Sequence, residues 1–398
     1  MGNTRRGARP KRLALITTVW TYQSHAQHMG DRFLVGYPRH GSWHYPSLQV
    51  VSAYVDQKPD GDLSKQRAAH HGFTVYPTIA EALRCGGGSL AVDGVVIIGE
   101  HGQYPRNQKG QVLYPRYEFF QEVVRVFEAD RRVVPVFNDK HLSYSWQKAA
   151  EMVATSKRLK FPFLAGSSLP VTWRLPPVEV PYGGRVREAL MIGVGGSDAM
   201  DYHALEAMQC MIERRRGGET GVRSVQVLDG DDVWKAAAEG RWSARLLEAA
   251  LSRSDSLTGD SDLDSRTQDL SRNGHLPRLV KNPSAYLIEH QDGLRSTLLM
   301  LNGALSDYCF AAELAGGEVV STQFFLPPTP NVTYSACLVA QIEEMIISGK
   351  APYPVERTQM ASAVLDRCLD SRAMGGRRVE TPELNIRYRA PRPSRFGG

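Results

Sequence analysis

Short apolar runs separated by amphipathic stretches organise the first part of the chain. Leu13-Ala-Leu-Ile-Thr-Thr-Val19 reads as a buried strand, and Gln49-Val-Val-Ser-Ala-Tyr-Val55 reads as a second that ends at Asp56. A helical stretch over 63–71 leads to Gly72-Phe73-Thr74-Val75-Tyr76, after which Thr78 and Glu81 have the spacing of a capping box. Residues 92–98 predict a further strand, 117–128 a helix, and the run from Val133 another strand that stops abruptly at Asn138-Asp139-Lys140-His141. Strands alternating with helices at these intervals predict right-handed βαβ units and a parallel sheet buried on both faces.

Beyond Met152 the texture changes to alternating runs punctuated by Pro and Gly, over 161–173, 224–228, 285–289 and 296–301. This predicts a second α/β domain with an open, mostly antiparallel sheet. The division expected is a basic arm at 1–12, a Rossmann-like nucleotide-binding domain at 13–155, a substrate and dimerisation domain at 156–372, and an extended Arg/Pro-rich tail at 373–398. Residues 252–273, rich in Ser, Asp and Arg, read as a mobile insertion.

Composition narrows the class. With 398 residues, 42% of them hydrophobic and 23% charged, the chain matches globular proteins and has no apolar run long enough to cross a membrane. The net charge of +6 is modest and partly terminal, so nucleic acid is not expected as a partner. The apolar run after Arg12 is too short for a signal segment, and the five cysteines form no CxxC pair; both point to a cytoplasmic protein with reduced thiols.

The candidate chemistry collects at strand ends. The carboxyl edge of a parallel sheet is where ligands bind, and there Asp139 and Lys140 stand beside His141, as Glu100 stands beside His101. A Lys with an acid and an imidazole suits polarisation or proton transfer at a hydroxyl; the alternative is a solvated cluster at a helix start. The first βα turn reads Thr17-Thr-Val-Trp-Thr-Tyr-Gln-Ser-His25 and lacks the GxGxxG that lets a backbone approach a diphosphate. Thr17 and Thr18 can bind an anion there or cap a helix, and Asp56 can accept from ribose hydroxyls or open a loop. In the second domain His203 lies near a helix start, with Tyr202 beside it, and Arg174 is a candidate anchor for a polar substrate. His25 with His28, or His101 with Asp139 and His141, have ligand chemistry for zinc or manganese, but no HExxH-like run occurs and no metal is assigned.

Asp56 followed by Ala68-Ala-His-His-Gly-Phe-Thr-Val-Tyr-Pro-Thr-Ile-Ala-Glu-Ala-Leu83 resembles the second-strand acid, glycine turn and helix of the glucose–fructose oxidoreductase/inositol dehydrogenase (Gfo/Idh/MocA) family. Residues 92–98 with His101, Asn138-Asp-Lys-His141 with Ala149-Ala-Glu-Met152, and 198–203 resemble that family's later motifs, over about residues 12–372. The resemblance implies Lys140 as the lysine touching nicotinamide ribose and substrate, His203 as the catalytic histidine with Asp139 in support, and His101, His141, Arg174 and Tyr202 toward substrate. It implies NAD or NADP near Thr17, Thr18, Asp56 and Glu100, a sugar-like small-molecule substrate, and a homo-oligomer. Two departures from the pattern, the missing glycines and the acid-to-histidine spacing, keep two alternatives open: lyase, isomerase or hydrolase chemistry on the same fold without nicotinamide, metal-assisted or not, and a non-catalytic binding protein.

Overall fold

The computed structural model describes residues 9–196, 198–259 and 269–397. Most of the expected basic arm and residues 260–268 of the expected insertion lie outside the described residues.

The chain begins with β1 (Lys11–Thr17), whose Leu13, Ala14, Leu15 and Ile16 are all buried because both faces of the sheet are covered. A π-helical turn (Ala26–Gly30) runs into α1 (Asp31–Val35), and a hairpin of β2 (Tyr37–Arg39) and β3 (Ser42–His44) follows. Next come β4 (Leu48–Val55), α2 (Ser64–His71), β5 (Thr74–Tyr76), α3 (Ile79–Arg84), β6 (Gly94–Ile98), α4 (Arg116–Asp130), β7 (Val136–Asp139), α5 (Trp146–Leu159) and β8 (Phe163–Gly166). The predicted cap forms, with the Thr78 hydroxyl accepting from the Glu81 amide at 3.1 Å.

Strands β5-β4-β1-β6-β7-β8 form one sheet in that order, and every pair is parallel. Chain order reverses direction between β1 and β6, so the crevice that a doubly wound sheet opens at its carboxyl edge lies above Thr17 and Gly99.

The second unit contains β9 (Arg174–Leu175), β10 (Val186–Gly193), α6 (Asp198–Ile212), β11 (Val222–Asp229), α7 (Asp231–Ala238), α8 (Ala244–Leu251), α9 (Leu276–Leu279), β12 (Ser284–His290), β13 (Arg295–Met300), β14 (Tyr308–Leu314) and β15 (Val319–Phe324). Helices α10 (Tyr334–Ser348) and α11 (Glu356–Ala373) precede the edge strand β16 (Val379–Glu380). Its sheet runs β16-β11-β12-β13-β10-β14-β15-β9, antiparallel except for the β10–β13 pair. The two sheets give the predicted α/β class.

Three boundaries differ from those read along the sequence. The parallel sheet continues through Gly166, past residue 155, because β8 pairs with β7. Helix α10 returns to the first unit, where Leu338, Val339 and Ile342 share a core with Leu13, Leu15 and Trp20. The tail was expected to be extended chain outside the core, yet Val379, Leu384 and Tyr388 are buried in the core of the second unit. Burial of these three apolar groups outweighs the Pro and Arg residues around them, which sit at the surface or pair with acids such as Glu344.

Candidate active site

The carboxyl ends of β6 and β7, the turn after β1, the end of β8 and the first turns of α6 surround one cavity of about 280 Å³. Glu100 and His101 follow the end of β6, Asp139 ends β7 with Lys140 just beyond it, His25 and His28 come from the turn after β1, and Met200 and His203 from α6. Tyr308 and Tyr334 close the remaining side.

Two glycines permit this assembly. A Cβ on Gly99 would lie 2.5 Å from the Arg116 side chain, so its absence lets that guanidinium pass behind Glu100. Gly166 has a φ of +125°, and a Cβ there would meet the Glu206 carboxylate at 2.3 Å. Glu206 thereby reaches the Ser167 amide at 2.7 Å and fastens α6 to the end of β8. This contact sets the face of α6 that carries His203 against the parallel sheet.

The charges beneath the cavity are buried and paired. Glu100 receives the Lys140 ammonium at 3.3 Å on one oxygen and the Arg116 guanidinium on the other. Burial works against its charge, but Lys140 and Arg116 outweigh it and hold the carboxyl well below the usual range. Asp139 accepts from His25 Nδ1 at 2.6 Å.

The other imidazoles are kept neutral. Burial, reinforced by neighbouring positive groups, lowers His28 and His101 to about 4 and pushes His203 far below its ordinary value. His203 Nδ1, His101 Nε2 and His28 Nε2 are buried without a hydrogen-bond partner among the described residues. Buried polar atoms of this kind call for a partner, and their clustering on one cavity suits a ligand rich in hydroxyls. His101 also has a φ of 69°, a strained value for a residue with a side chain. Among the described residues, no group of three or more His, Cys, Asp or Glu is arranged to hold a metal ion.

Of the residues singled out in the sequence, Glu100, His101, Asp139, Lys140 and His203 come together on the cavity, joined by His25 and His28, which had been weighed as metal ligands, and the rest do not. His141 lies behind it, with Nδ1 on the Ser143 carbonyl at 2.7 Å and Nε2 3.3 Å from Asp198. Tyr202 is fully buried and donates to Glu206 at 2.7 Å. Arg174, expected as a substrate anchor, lies away from this cavity. It pairs with Glu179 at 2.5 Å and lies against Phe324 and Phe396, because a two-residue edge strand turns it inward.

Thr17 and Thr18 are fully buried, and their hydroxyls donate to the carbonyls of Val19, Ile98 and Glu100. Sequence reading passed over Arg116, Tyr308 and Tyr334, whose roles arise from tertiary contacts with no local motif. His25 was weighed only as a metal ligand.

A nicotinamide dinucleotide is the group this fold implies. Lys140, Glu100 and His203 around the cavity fit its reactive end. The turn that would hold its diphosphate is built differently: Trp20 is fully buried there, stacked on Phe73 at 5.9 Å, and Ser24 caps the Thr21 amide at 3.1 Å. At the ribose position both oxygens of Asp56 are engaged, by Tyr54 at 2.7 Å and Tyr104 at 2.6 Å.

No helix among the described residues is long and apolar enough to cross a membrane. No family model matches the sequence, and no curated relative matches it. Solved structures do match. GenD2 from gentamicin A biosynthesis, in complex with NAD, superposes with a TM-score of 0.59 at 13% identity, over 95% of this chain and 99% of that one. The myo-inositol dehydrogenase of Lactobacillus casei, in complex with NAD(H) and myo-inositol, gives 0.52 at 10% identity over 93% and 96%. The myo-inositol 2-dehydrogenase of Lactobacillus plantarum gives 0.54 at 11% over 93% and 99%. Likeness at such identities is a likeness of fold, and the chain has the fold of the Gfo/Idh/MocA oxidoreductases: a Rossmann-like parallel sheet joined to an open, mostly antiparallel one.

Proposed function

We propose that the cavity is the catalytic site of an oxidoreductase acting on a sugar-like or other polyhydroxylated small molecule, with Lys140 and His203 as the central pair. What carries the reading is that one cavity takes Lys140 from the sheet of the first unit and His203 from a helix of the second. Lys140, backed by Glu100, offers positive charge and a hydrogen bond to a substrate oxygen. His203, held neutral, offers an imidazole able to exchange a hydroxyl proton. NAD(P) is the cofactor this reading takes, in line with the NAD complexes of GenD2 and the L. casei enzyme. When bound, its nicotinamide supplies the site for the hydride.

A second reading keeps the cavity and the pair but dispenses with nicotinamide, as in a lyase or isomerase. It is favoured by the buried Trp20 at the diphosphate turn and by the tyrosines on Asp56. Fluorescence titration with NADH and NADPH separates the two. Saturable binding supports the oxidoreductase, and no binding at millimolar nucleotide supports the second reading. For any polyol turned over, Lys140→Met and His203→Asn are expected to cut kcat by about 100-fold or more. Unchanged turnover in both variants removes the pair from the chemistry. The soluble, homo-oligomeric, cytoplasmic character expected from sequence belongs to the same proposal; sedimentation of the purified chain tests its assembly.

A further inference from the structure

We infer that His25 and Asp139 form an oriented dyad in which His25 Nε2 is a second proton acceptor of the cavity, beside His203, and Asp139 its positioning residue. This rests on the reading of the cavity as a catalytic site and on neither choice of cofactor.

The geometry is that of an imidazole locked in one tautomer. His25 Nδ1 lies 2.6 Å from Asp139 Oδ2, and a carboxylate only accepts, so Nδ1 carries a proton and Nε2 is the nitrogen that gains and loses the second. Nε2 is left with its lone pair. It pairs with no group among the described residues, and the ring lines the cavity, about a fifth exposed. Asp139 is buried at the end of β7, where strand pairing to β8 fixes its backbone. The aspartate therefore cannot follow the ring into solvent.

The neighbours sharpen the assignment. His101 meets the His25 ring edge-on at 5.0 Å and His28 stacks at 6.0 Å, but among the described residues their buried Nε2 atoms have no partner. Among the described residues, His25 is the cavity imidazole that combines an anionic partner behind it with an open nitrogen in front. In the step proposed, the O–H bond of a substrate hydroxyl breaks, its pair stays on oxygen, and the proton forms N–H at Nε2. The resulting imidazolium is balanced by Asp139, while the Lys140 ammonium, on the same cavity, faces the developing alkoxide. The base is restored when the Nε2 proton passes to solvent or to an oxygen of the product.

Histidine-selective ¹⁵N NMR of the full chain tests the dyad without a substrate. The expected spectrum has His25 protonated on Nδ1 in the wild type and mixed tautomers in Asp139→Asn. A His25 protonated on Nε2 in the wild type overturns the proposal. Acylation by diethyl pyrocarbonate, read by peptide mass spectrometry, gives a second measurement on folded protein. His25 should react faster than His28 and His101 and lose that lead in Asp139→Asn; no selective loss counts against the dyad.

A panel of polyols, myo-inositol and glucose among them, with NAD⁺ or NADP⁺ present or absent, gives the catalytic readout. His25→Gln and Asp139→Asn should lower kcat by about 100-fold or more with KM little changed. Turnover that survives His25→Gln refutes the base. If no polyol is turned over, the sugar-oxidoreductase reading fails, while the tautomer and acylation results still decide the dyad.

Discussion

Replacing Glu100 by Gln tests the electrostatic floor of the cavity. The carboxylate is 6% exposed and faces two cations that are themselves buried, Lys140 at 3% and Arg116 at 1%. Glutamine keeps the shape and one acceptor but removes the charge, which leaves two positive groups facing each other without an anion between them. Stripping one member from a buried ion cluster costs about 3–5 kcal/mol, far more than the cluster adds when intact, because the stranded charges have already lost their water. Lys140→Met should cost less, since Glu100 then keeps Arg116 and the methionine fills the lysine's path.

A double-mutant cycle isolates the pair. With the ammonium 3.3 Å from the carboxylate, its coupling energy should fall at about 1–3 kcal/mol. Urea unfolding followed by tryptophan fluorescence supplies the free energies, compared at constant slope. The pH dependence has a definite sign. A carboxyl held below its ordinary range stabilises the fold above the unfolded value, and that contribution disappears as pH falls toward the folded value. Wild type should therefore lose more stability than Glu100→Gln on acidification below the ordinary carboxylate range. A single-variant cost within about 0.5 kcal/mol, together with a coupling near zero, would refute the argument that these charges are desolvated and interdependent.

Three further outcomes follow from the same structure. Trp20→Ala removes a fully buried indole packed on Phe73 and should cost about 3–5 kcal/mol in urea unfolding; a loss under about 1 kcal/mol would show that the turn after β1 is not packed as described. His101 and His28 titrate near 4 in the fold against 6.5 when unfolded, so the unfolded chain takes up their protons first and stability drops as pH falls from 6.5 toward 4. His101→Gln should flatten that drop, and an unaltered slope between pH 7 and 5 contradicts the assignment. Gly166→Ala places a methyl 2.3 Å from the Glu206 carboxylate at a φ of +125°. It is expected to loosen α6 from β8, seen as faster amide exchange at Ser167, whereas unchanged exchange argues against that fastening.

The parts of this architecture visible in the sequence are those that local periodicity encodes. The apolar run before Asn138 leads into β7, whose Val136 and Phe137 are covered on both faces, while its last two residues, Asn138 and Asp139, are polar yet still paired to β8, and the chain leaves the sheet at Lys140. Thr78 and Glu81 announce α3 through a contact only three residues long. The return of α10 to the first core is invisible at that range, since the apolar face of Tyr334–Ser348 says that the helix must be covered and not by which sheet. The place of Arg174 away from the cavity is invisible for a related reason. A buried arginine and a substrate-binding one have the same side chain, and only Glu179 with its two aromatic neighbours distinguishes them.

The strand-end acids have a different lesson. Glu100 follows the carboxyl end of β6 and Asp139 ends the adjacent parallel strand β7, so topology brings both to the crevice. Their partners then divide the work. Glu100 is saturated by two cations that share its burial, so it is bound to hold Lys140 in place and has no freedom to take a proton. Asp139 meets a histidine that still faces the cavity, so a proton arriving at that ring changes the charge opposite Asp139 without moving any heavy atom. The same residue type on the same sheet edge thus becomes an anchor in one strand and a proton-handling element in the next. What separates them is whether the partner's other end is enclosed by protein or open to the ligand.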